Sequence, residues 1–578
     1  VKLSQSADSK FSIHYAIGVA FVSIIFSLAL FGVYFETHDD SLMSLIAAGA
    51  LGSSGPSPDL WYSHRLLGLL LSSCYRLFPN VNWYLGFQLS VQVASQAVWL
   101  WLFQRVTPGP RGWWCFAIWF VVVGWLWLIP LQFTTLACVA FTAGMALIVF
   151  DATQDQPTNY MGLFNPCFLT GVGFLLVSHL IRHASFQLGC LMAVPVVGLL
   201  AYSWPRQTTI VQTIRGVLVV GIILISNRGE AWYYNSQPEW KDYRQSWLPI
   251  ALLANPDRLQ FTPSNPRFAA REEQQAHLRK LRQIGWTPHD MVMLRGGFVD
   301  DRTVFSAERK AEAVRVLFPP TTVDRGRFWS FLLGAPFYWL QKPIVLTAIL
   351  IASLVGWRFG LSRRFLVAII ASVLWFFVLS AYLKAYEKLP YRVLRIIALA
   401  PLLTIFTAIV GTKRTSLDKL FSIRTIDWAI AAVSLALTCW LLQDSMSIGQ
   451  RRGNDFSRLQ QDLKNAPISS ENHYVMYKLE ILGVPPLADT SMFKGWSWIF
   501  LDCLADHPQY REQIRKWGWR DASEGLRTDP DARLISDDIY AHELQKFFDE
   551  HYPHYRLKKE WNGEEISIYR VVRLVASP

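Results

Sequence analysis

The sequence predicts a mainly α protein, a polytopic transmembrane helix bundle of about eleven spans. Helices lying on its outer face and a small soluble α/β or α+β C-terminal domain complete the expected fold. Three observations carry this. Of 578 residues, 52% are hydrophobic and 17% are charged, whereas a soluble domain carries about 25% charged residues. The apolar residues gather into long runs, which only a bilayer can take up in such number. The last stretch, residues 444–578, is instead mixed and charged.

The net charge of +12 does not point to nucleic acid, because the basic residues are scattered among short loops. That is how a protein oriented by positive charge is built. The seven cysteines form no CxxC pair, so neither a disulfide framework nor a zinc site is legible. The first apolar run lacks a small-residue cleavage pattern and reads as a retained span.

Residues 14–35 make the first span, preceded by Lys2 and Lys10. Those charges place the N-terminus in the cytoplasm and the stretch Glu36-Thr37-His38-Asp39-Asp40 outside. An outer segment follows, residues 36–81. Ser41 to Leu51 and Leu60 to Phe78 have helical apolar spacing, separated by the breaker cluster Gly52 to Pro58. The second of these could lie along the membrane surface.

Further spans are expected at 83–103, 113–129, 131–150, 164–181, 188–202 and 211–225. A long outer loop occupies 227–342, rich in Pro, Asp, Arg and Lys, with a charged amphipathic helix over 271–284. Spans at 343–356, 365–382, 393–410 and 428–442 complete the membrane module, residues 1–443. Two loops depart from the charge rule. Loop 151–163 is inner yet acidic, and the cluster Lys384, Lys388, Arg392 and Arg395 is basic yet falls outside. Excess positive charge on the disfavoured side suits anion binding. In the C-terminal domain, 540–552 reads as an amphipathic helix and 566–572 as a strand.

The acidic stretch is the first candidate site. One of Asp39 and Asp40 could act as a general base, in a cleft that raises its pKa towards working pH. Alternatively Glu36, His38 and Asp40 could hold a divalent cation, Mg or Mn, through oxygen and imidazole ligands. Simple solvation of a span end is the plain alternative. A cationic clamp for a phosphate could come from Lys384, Arg392 and Arg395; Arg392 and Arg395 are three apart and share a helix face. Arg182 and His183 are the second choice. Tyr62, His64 and Arg65, with Trp61, could line a sugar or carrier site or anchor a surface helix. Gln132 is a further sugar or acceptor contact. Asp242, Asp300 and Asp301 read as solvated loop charges, and Gly296-Gly297 as a turn.

A first span ending in an acidic pair, an outer segment with surface helices, many further spans and a terminal outer domain resemble the GT-C superfamily of integral membrane glycosyltransferases. Glu36 through Asp39-Asp40, Pro79-Asn80-Val81-Asn82-Trp83-Tyr84 and Gln132-Phe133-Thr134 carry the resemblance. It implies sugar transfer from a polyprenyl-phosphate or polyprenyl-diphosphate carrier to a glycan, lipid or protein on the non-cytoplasmic face. It also implies a catalytic acid group in the first outer loop, here Asp39 or Asp40. A lipid phosphate leaves as a stable anion, so one base and a cationic clamp suffice, and a single in-line attack inverts the sugar. The expected setting is the inner membrane, with the active site and C-terminal domain periplasmic or extracellular.

Three rivals stand beside this reading. A polysaccharide polymerase or ligase using a lipid-diphosphate donor would not need the acidic pair. A flippase for lipid-linked sugars would show paired halves and broken spans; no internal repeat is visible. A non-catalytic scaffold would leave both aspartates replaceable.

Overall fold

The computed structural model describes residues 11–50, 55–153, 164–203, 206–253, 279–295, 297–298, 300–317, 363–385, 424–477, 484–488, 496–501 and 507–574, with residues 332, 393 and 493. The expected spans at 343–356 and 393–410 lie outside these residues but for 393, as does most of the helix expected over 271–284.

The first helix, α1 (Ile13–Phe31), is capped by Ser12, whose hydroxyl accepts from the Tyr15 amide. It ends at Gly32, with φ of +69°. The chain then makes a two-residue strand, β1 (Tyr34–Phe35), and enters α2 (His38–Ala48). Asp40 through Ala48 are all buried. A helix covered on every side sits inside the molecule, so α2 is not a helix resting on the surface. It ends at Gly49, with φ of +67°; a Cβ there would lie 2.3 Å from the Gly55 carbonyl carbon. Only glycine meets both conditions.

In α3 (Arg65–Leu77), Leu67, Leu71 and Tyr75 face the core. Leu66, Leu69, Leu70 and Leu77 are exposed. That apolar outer face is what an in-plane membrane helix presents. Asn82 caps α4 (Trp83–Val106), accepting from the Leu85 amide at 3.1 Å.

The next expected span is a composite: α5 (Pro110–Trp119), a π-helical turn over Phe120–Gly124 and α6 (Trp125–Leu128). It leads to β2 (Pro130–Leu131), which pairs with β1 in parallel, Tyr34 opposite Pro130 and Phe35 opposite Leu131. Then α7 (Phe133–Thr153) runs through the middle of the bundle, nearly all buried. Gly144 of α7 and Gly171 of α8 (Pro166–Ile181) let the two backbones touch. A Cβ on Gly144 would lie 2.7 Å from the Gly171 carbonyl oxygen, the close small-residue packing favoured in membranes.

Next come α9 (His183–Ser203), α10 (Arg206–Ser236) and α11 (Pro238–Leu253). Asp151, at the start of the segment expected to be an acidic inner loop, lies in the last turn of α7, and Arg215 of α10 meets its carboxylate at 2.6 Å, both side chains buried. Part of that loop's unusual charge is thus neutralised from a neighbouring helix. The spans expected at 365–382 and 428–442 fall in the helices α14 (Arg363–Ala385) and α15 (Arg424–Asn465). By length and composition, Ile13–Phe31, Phe133–Thr153 and Thr209–Ser236 are apolar enough to cross a membrane.

At about 1.5 Å per residue, the 42-residue α15 runs well beyond a bilayer and enters the C-terminal unit. That unit holds a five-stranded sheet ordered β4 (Ser497–Leu501), β3 (His473–Tyr477), β5 (Ala532–Ser536), β7 (Ser567–Arg573), β6 (Tyr555–Asn562). The first three strands are parallel and the last two antiparallel. Between strands lie α16 (Pro508–Lys516), α17 (Ala522–Thr528) and α18 (Asp538–His551).

Side chains alternate across the sheet. Tyr474, Met476, Trp498, Phe500, Ile535 and Ile568 share one core with Leu42, Leu45 and Ile46 of α2, Leu71 of α3 and Tyr84 of α4. Val475, Tyr477, Ile499, Leu534 and Val571 face the other way, onto Phe547 and Leu544. The segment expected to be a long outer loop joins that second core through Trp286, Met291, Phe298 and Phe305, around α12 (Pro288–Arg295) and α13 (Ala307–Leu317).

Asp300 and Asp301 correct the expectation of solvated charges, for both are fully buried. Asp300 accepts from the Tyr510 hydroxyl at 2.5 Å and the Ala522 amide at 2.9 Å, and meets Arg511 at 2.8 Å. Asp301 accepts from the Thr303 and Val304 amides and the Tyr552 hydroxyl. Both carboxylates are joints between the outer loop and the sheet unit. Asp242 is exposed.

Candidate active site

The acidic pair sits where α2, α4 and α7 converge, under the C-terminal sheet. Consecutive residues of a helix point about 100° apart, so Asp39 and Asp40 cannot face the same way. Asp40 is 0% exposed. Its Oδ1 accepts from the Tyr84 hydroxyl at 3.0 Å, Gln88 Nε2 at 2.9 Å and the Phe133 amide at 3.0 Å. Its Oδ2 accepts from Thr37 Oγ1 at 3.1 Å. Four donors from four directions make this carboxylate a hub that fastens α2 to α4 and α7. Burial pushes its pKa up to about 7, the Asp39 charge adds to the rise, and the hydrogen bonds pull the other way. Asp39 is half-buried and His38 exposed.

The backbone leading into the pair is held on both edges. Tyr34 and Glu36 donate their amides to the Ile129 and Leu131 carbonyls. Arg452 of α15 donates through Nη1 to the Phe35 carbonyl at 2.5 Å and the Glu36 carbonyl at 3.1 Å. From the sheet unit, the Val484 carbonyl accepts from the Ser41 hydroxyl and the Pro486 carbonyl from Asn82 Nδ2.

Phe133 joins the acidic pair to an aromatic and basic group. Its ring stacks on Tyr62 at 5.5 Å between centroids, and Tyr62 stacks on Trp61 at 5.2 Å. The Arg182 guanidinium lies over Phe133 at 4.6 Å and over Tyr62 at 5.3 Å, and donates to the Thr134 hydroxyl. Trp61 and Tyr62 therefore form a stacked face beside Phe133, an arrangement compatible with lining a site and with anchoring at an interface. A stack of flat rings edged by a cation suits a sugar ring carrying a phosphate.

His64 caps α3 through Nδ1, and its Nε2 meets Ser226 Oγ at 3.0 Å. Arg65 pairs with Asp59, takes Glu230 on its amide and stacks over Tyr233 at 3.7 Å. His183, exposed at the start of α9, lies 3.3 Å from His179, Nδ1 to Nδ1. Gln132 is buried beside Phe133, and its side-chain amide has no hydrogen-bond partner among the described residues.

Of the residues singled out from the sequence, Asp39, Asp40, Tyr62, His64, Arg65, Gln132, Arg182 and His183 thus lie at or beside the first turns of α2, α3 and α7 and the last turn of α8. Lys384 is in α14, whose side chains are not described at that point, and Lys388, Arg392 and Arg395 lie outside the described residues. The proposed cation ligands Glu36, His38 and Asp40 do not converge. Among the described residues, the group of acidic and histidine side chains close enough to share an ion is Asp290, Glu550 and His551. With both Asp40 oxygens already occupied by protein donors, the acidic stretch does not fit a resident divalent cation.

Sequence reasoning gave no role to Tyr84, Gln88, Thr37 or Arg452, although Thr37 and Tyr84 fall within stretches singled out there. Tyr84 and Gln88 had a usable signal: two polar side chains one turn apart on α4, both of which must find partners when buried. Arg452 had none.

The chain matches no protein-family model and no curated protein. Solved structures do match it. Two are of ArnT from Cupriavidus metallidurans, one in the apo state with a TM-score of 0.43 and one bound to undecaprenyl phosphate with a TM-score of 0.39. Each is 10% identical and covers 96% of this chain and 97% of that chain. An overlap this loose equates no residue of the two proteins, and the reading below stands on the side chains.

Proposed function

We propose that the protein is a membrane glycosyltransferase of the GT-C kind. It moves a sugar from a polyprenyl-phosphate carrier to a glycan, lipid or protein acceptor on the periplasmic face of the inner membrane. The observation that carries this is the division of the acidic pair. Asp40 is sealed and has both oxygens occupied, while Asp39, one residue earlier on the same turn, is half-buried beside it. A general base must reach the proton it takes, so Asp39 is the base and Asp40 holds the turn that presents it.

The reaction balances with these groups. Asp39 takes the proton of the acceptor hydroxyl, and that oxygen forms a bond to the anomeric carbon. The bond from that carbon to the phosphate oxygen breaks, and the lipid phosphate leaves with the electron pair. Arg182, stacked on Phe133 and Tyr62, faces the growing charge with a planar fork suited to phosphate oxygens. No proton donor is needed for such a leaving group. One displacement inverts the anomeric centre.

Undecaprenyl phosphate is the probe that tests the donor half. Full-length protein in nanodiscs should retain it in native mass spectrometry and discriminate against undecaprenol, which lacks the phosphate. Equal retention of the two would overturn the donor assignment. A product that keeps the donor's anomeric configuration would overturn the single displacement.

A further inference from the structure

The segment that carries the acidic pair is gripped by a residue 417 positions away in sequence. Tyr34 to Glu36 is the middle of the link between α1 and α2, which runs from Gly32 to Thr37. On one edge its amides are satisfied by β2, through Ile129 and Leu131. On the other edge, the Phe35 and Glu36 carbonyls both accept from Arg452 Nη1, at 2.5 and 3.1 Å. The side chain thus does the work of a third strand for a ladder only two residues long. The helix that carries it is pressed against the same segment. Gly449, one turn earlier, packs on the Tyr34 ring so closely that a Cβ would lie 2.8 Å from Cδ1. The guanidinium itself is 6.0 Å from the centre of that ring.

From there the bonding continues without a gap into the site. Glu36 is followed by Thr37, whose hydroxyl donates to Asp40, and Asp40 is tied to Tyr84, Gln88 and Phe133. Between Arg452 and the Asp40 hub, the first turn of α2 has no freedom to rotate, and Asp39 is on that turn. We propose that Arg452 is a positioning residue for the proposed base: it locks the link between α1 and α2 so that Asp39 meets the acceptor in one orientation. The C-terminal unit, through α15, is then part of the catalytic apparatus. This rests on the reading of Asp39 given above.

A guanidinium suits the task because one planar group can serve two carbonyls at fixed angles. Here Nη1 alone serves both carbonyls; lysine keeps the charge and its N–H donors but loses the fixed plane, so it should restore part of the effect.

The test uses full-length protein in nanodiscs, with Arg452→Ala and Arg452→Lys set against Arg451→Ala, an exposed neighbour on the same helix. Loss of charge-assisted bonds to the link should speed amide exchange in peptides spanning 33–40 about tenfold or more in Arg452→Ala. Lysine should give a smaller change and Arg451→Ala none. Undecaprenyl phosphate retention should stay within about twofold, because no phosphate contact is removed. Turnover of a synthetic polyprenyl-phosphate sugar should fall in kcat with donor KM unchanged. Unaltered exchange over 33–40 in Arg452→Ala would overturn the proposal. Loss of undecaprenyl phosphate would also overturn it, by making Arg452 a ligand of the phosphate. If the wild type turns over no such donor while exchange responds as stated, the reaction assignment fails and the clamp on the link stands.

Discussion

The hydroxyl of Tyr84 donates to Asp40 Oδ1 at 3.0 Å, joining α4 to α2 inside a sealed contact. Removing that hydroxyl leaves three donors on the carboxylate. The expected cost for Tyr84→Phe is about 1.5–3 kcal/mol, the range for a hydrogen bond to a charged group. Thermal unfolding in detergent should show it. A midpoint equal to wild type would mean that the hub does not fasten the two helices.

Asp40 also sets a pH dependence. Its pKa is raised from 3.8 to about 7 by burial. A raised acid contributes stability that is full below the unfolded pKa and is lost as pH rises through the folded one. Three units correspond to at most about 4 kcal/mol. Stability should therefore decline between about pH 4 and about pH 7, the interval between the unfolded and folded values. In Asp40→Asn the amide oxygen keeps the three donors on Oδ1, and Thr37 can turn to accept. That variant should fold and show a flatter profile. An unchanged slope would contradict the assignment.

A second pH-linked contact lies in the C-terminal unit. His551 Nε2 meets the buried Asp290 at 2.7 Å. Burial acts against the imidazolium, and the Asp290 carboxylate overcomes it, so the pKa is raised. That contribution is full below about 6.5 and is lost as pH rises through the raised value. Asp290→Asn should remove this part of the decline above neutrality and leave the Asp40 part. Measuring both variants separates the two.

The helical, apolar character of segments such as Ile13–Phe31, Phe133–Thr153 and Thr209–Ser236 was legible, because long apolar runs leave few other physical outcomes. The strands β1 and β2 were not: two residues carry no periodicity. The long outer loop read as polar and solvated because Asp300 and Asp301 have their partners Tyr510, Arg511, Ala522 and Tyr552 more than two hundred residues later. Of the site, the charged and aromatic side chains could be picked out one by one. Phe133 could not, since its part is played by a backbone amide and a ring face. Nor could the ranking of Asp39 and Asp40, which depends on which side of a turn meets the core.

Arg182 supplies the donor prediction. Its guanidinium, over Phe133 and Tyr62, is the proposed phosphate clamp. Arg182→Ala should weaken undecaprenyl phosphate binding about tenfold to a hundredfold, the loss of one or two charge-assisted bonds. Binding within twofold of wild type would move the clamp elsewhere.

Gly49 tests the fit of α2 beneath its loop. Gly49→Ala combines a left-handed backbone with a Cβ at 2.3 Å from the Gly55 carbonyl carbon. The expected loss exceeds about 1 kcal/mol, seen as a lower unfolding midpoint. Full stability would show that the 49–55 turn is held differently.

The release of polyprenyl phosphate from a synthetic polyprenyl-phosphate sugar, by full-length protein in nanodiscs with envelope lipid and glycan extracts as acceptors, tests the central claim most directly. Wild type should release it, Asp39→Asn should lose the activity while keeping its fold and its grip on undecaprenyl phosphate, and Asp40→Asn should retain a measurable rate. Full release by Asp39→Asn would contradict the account.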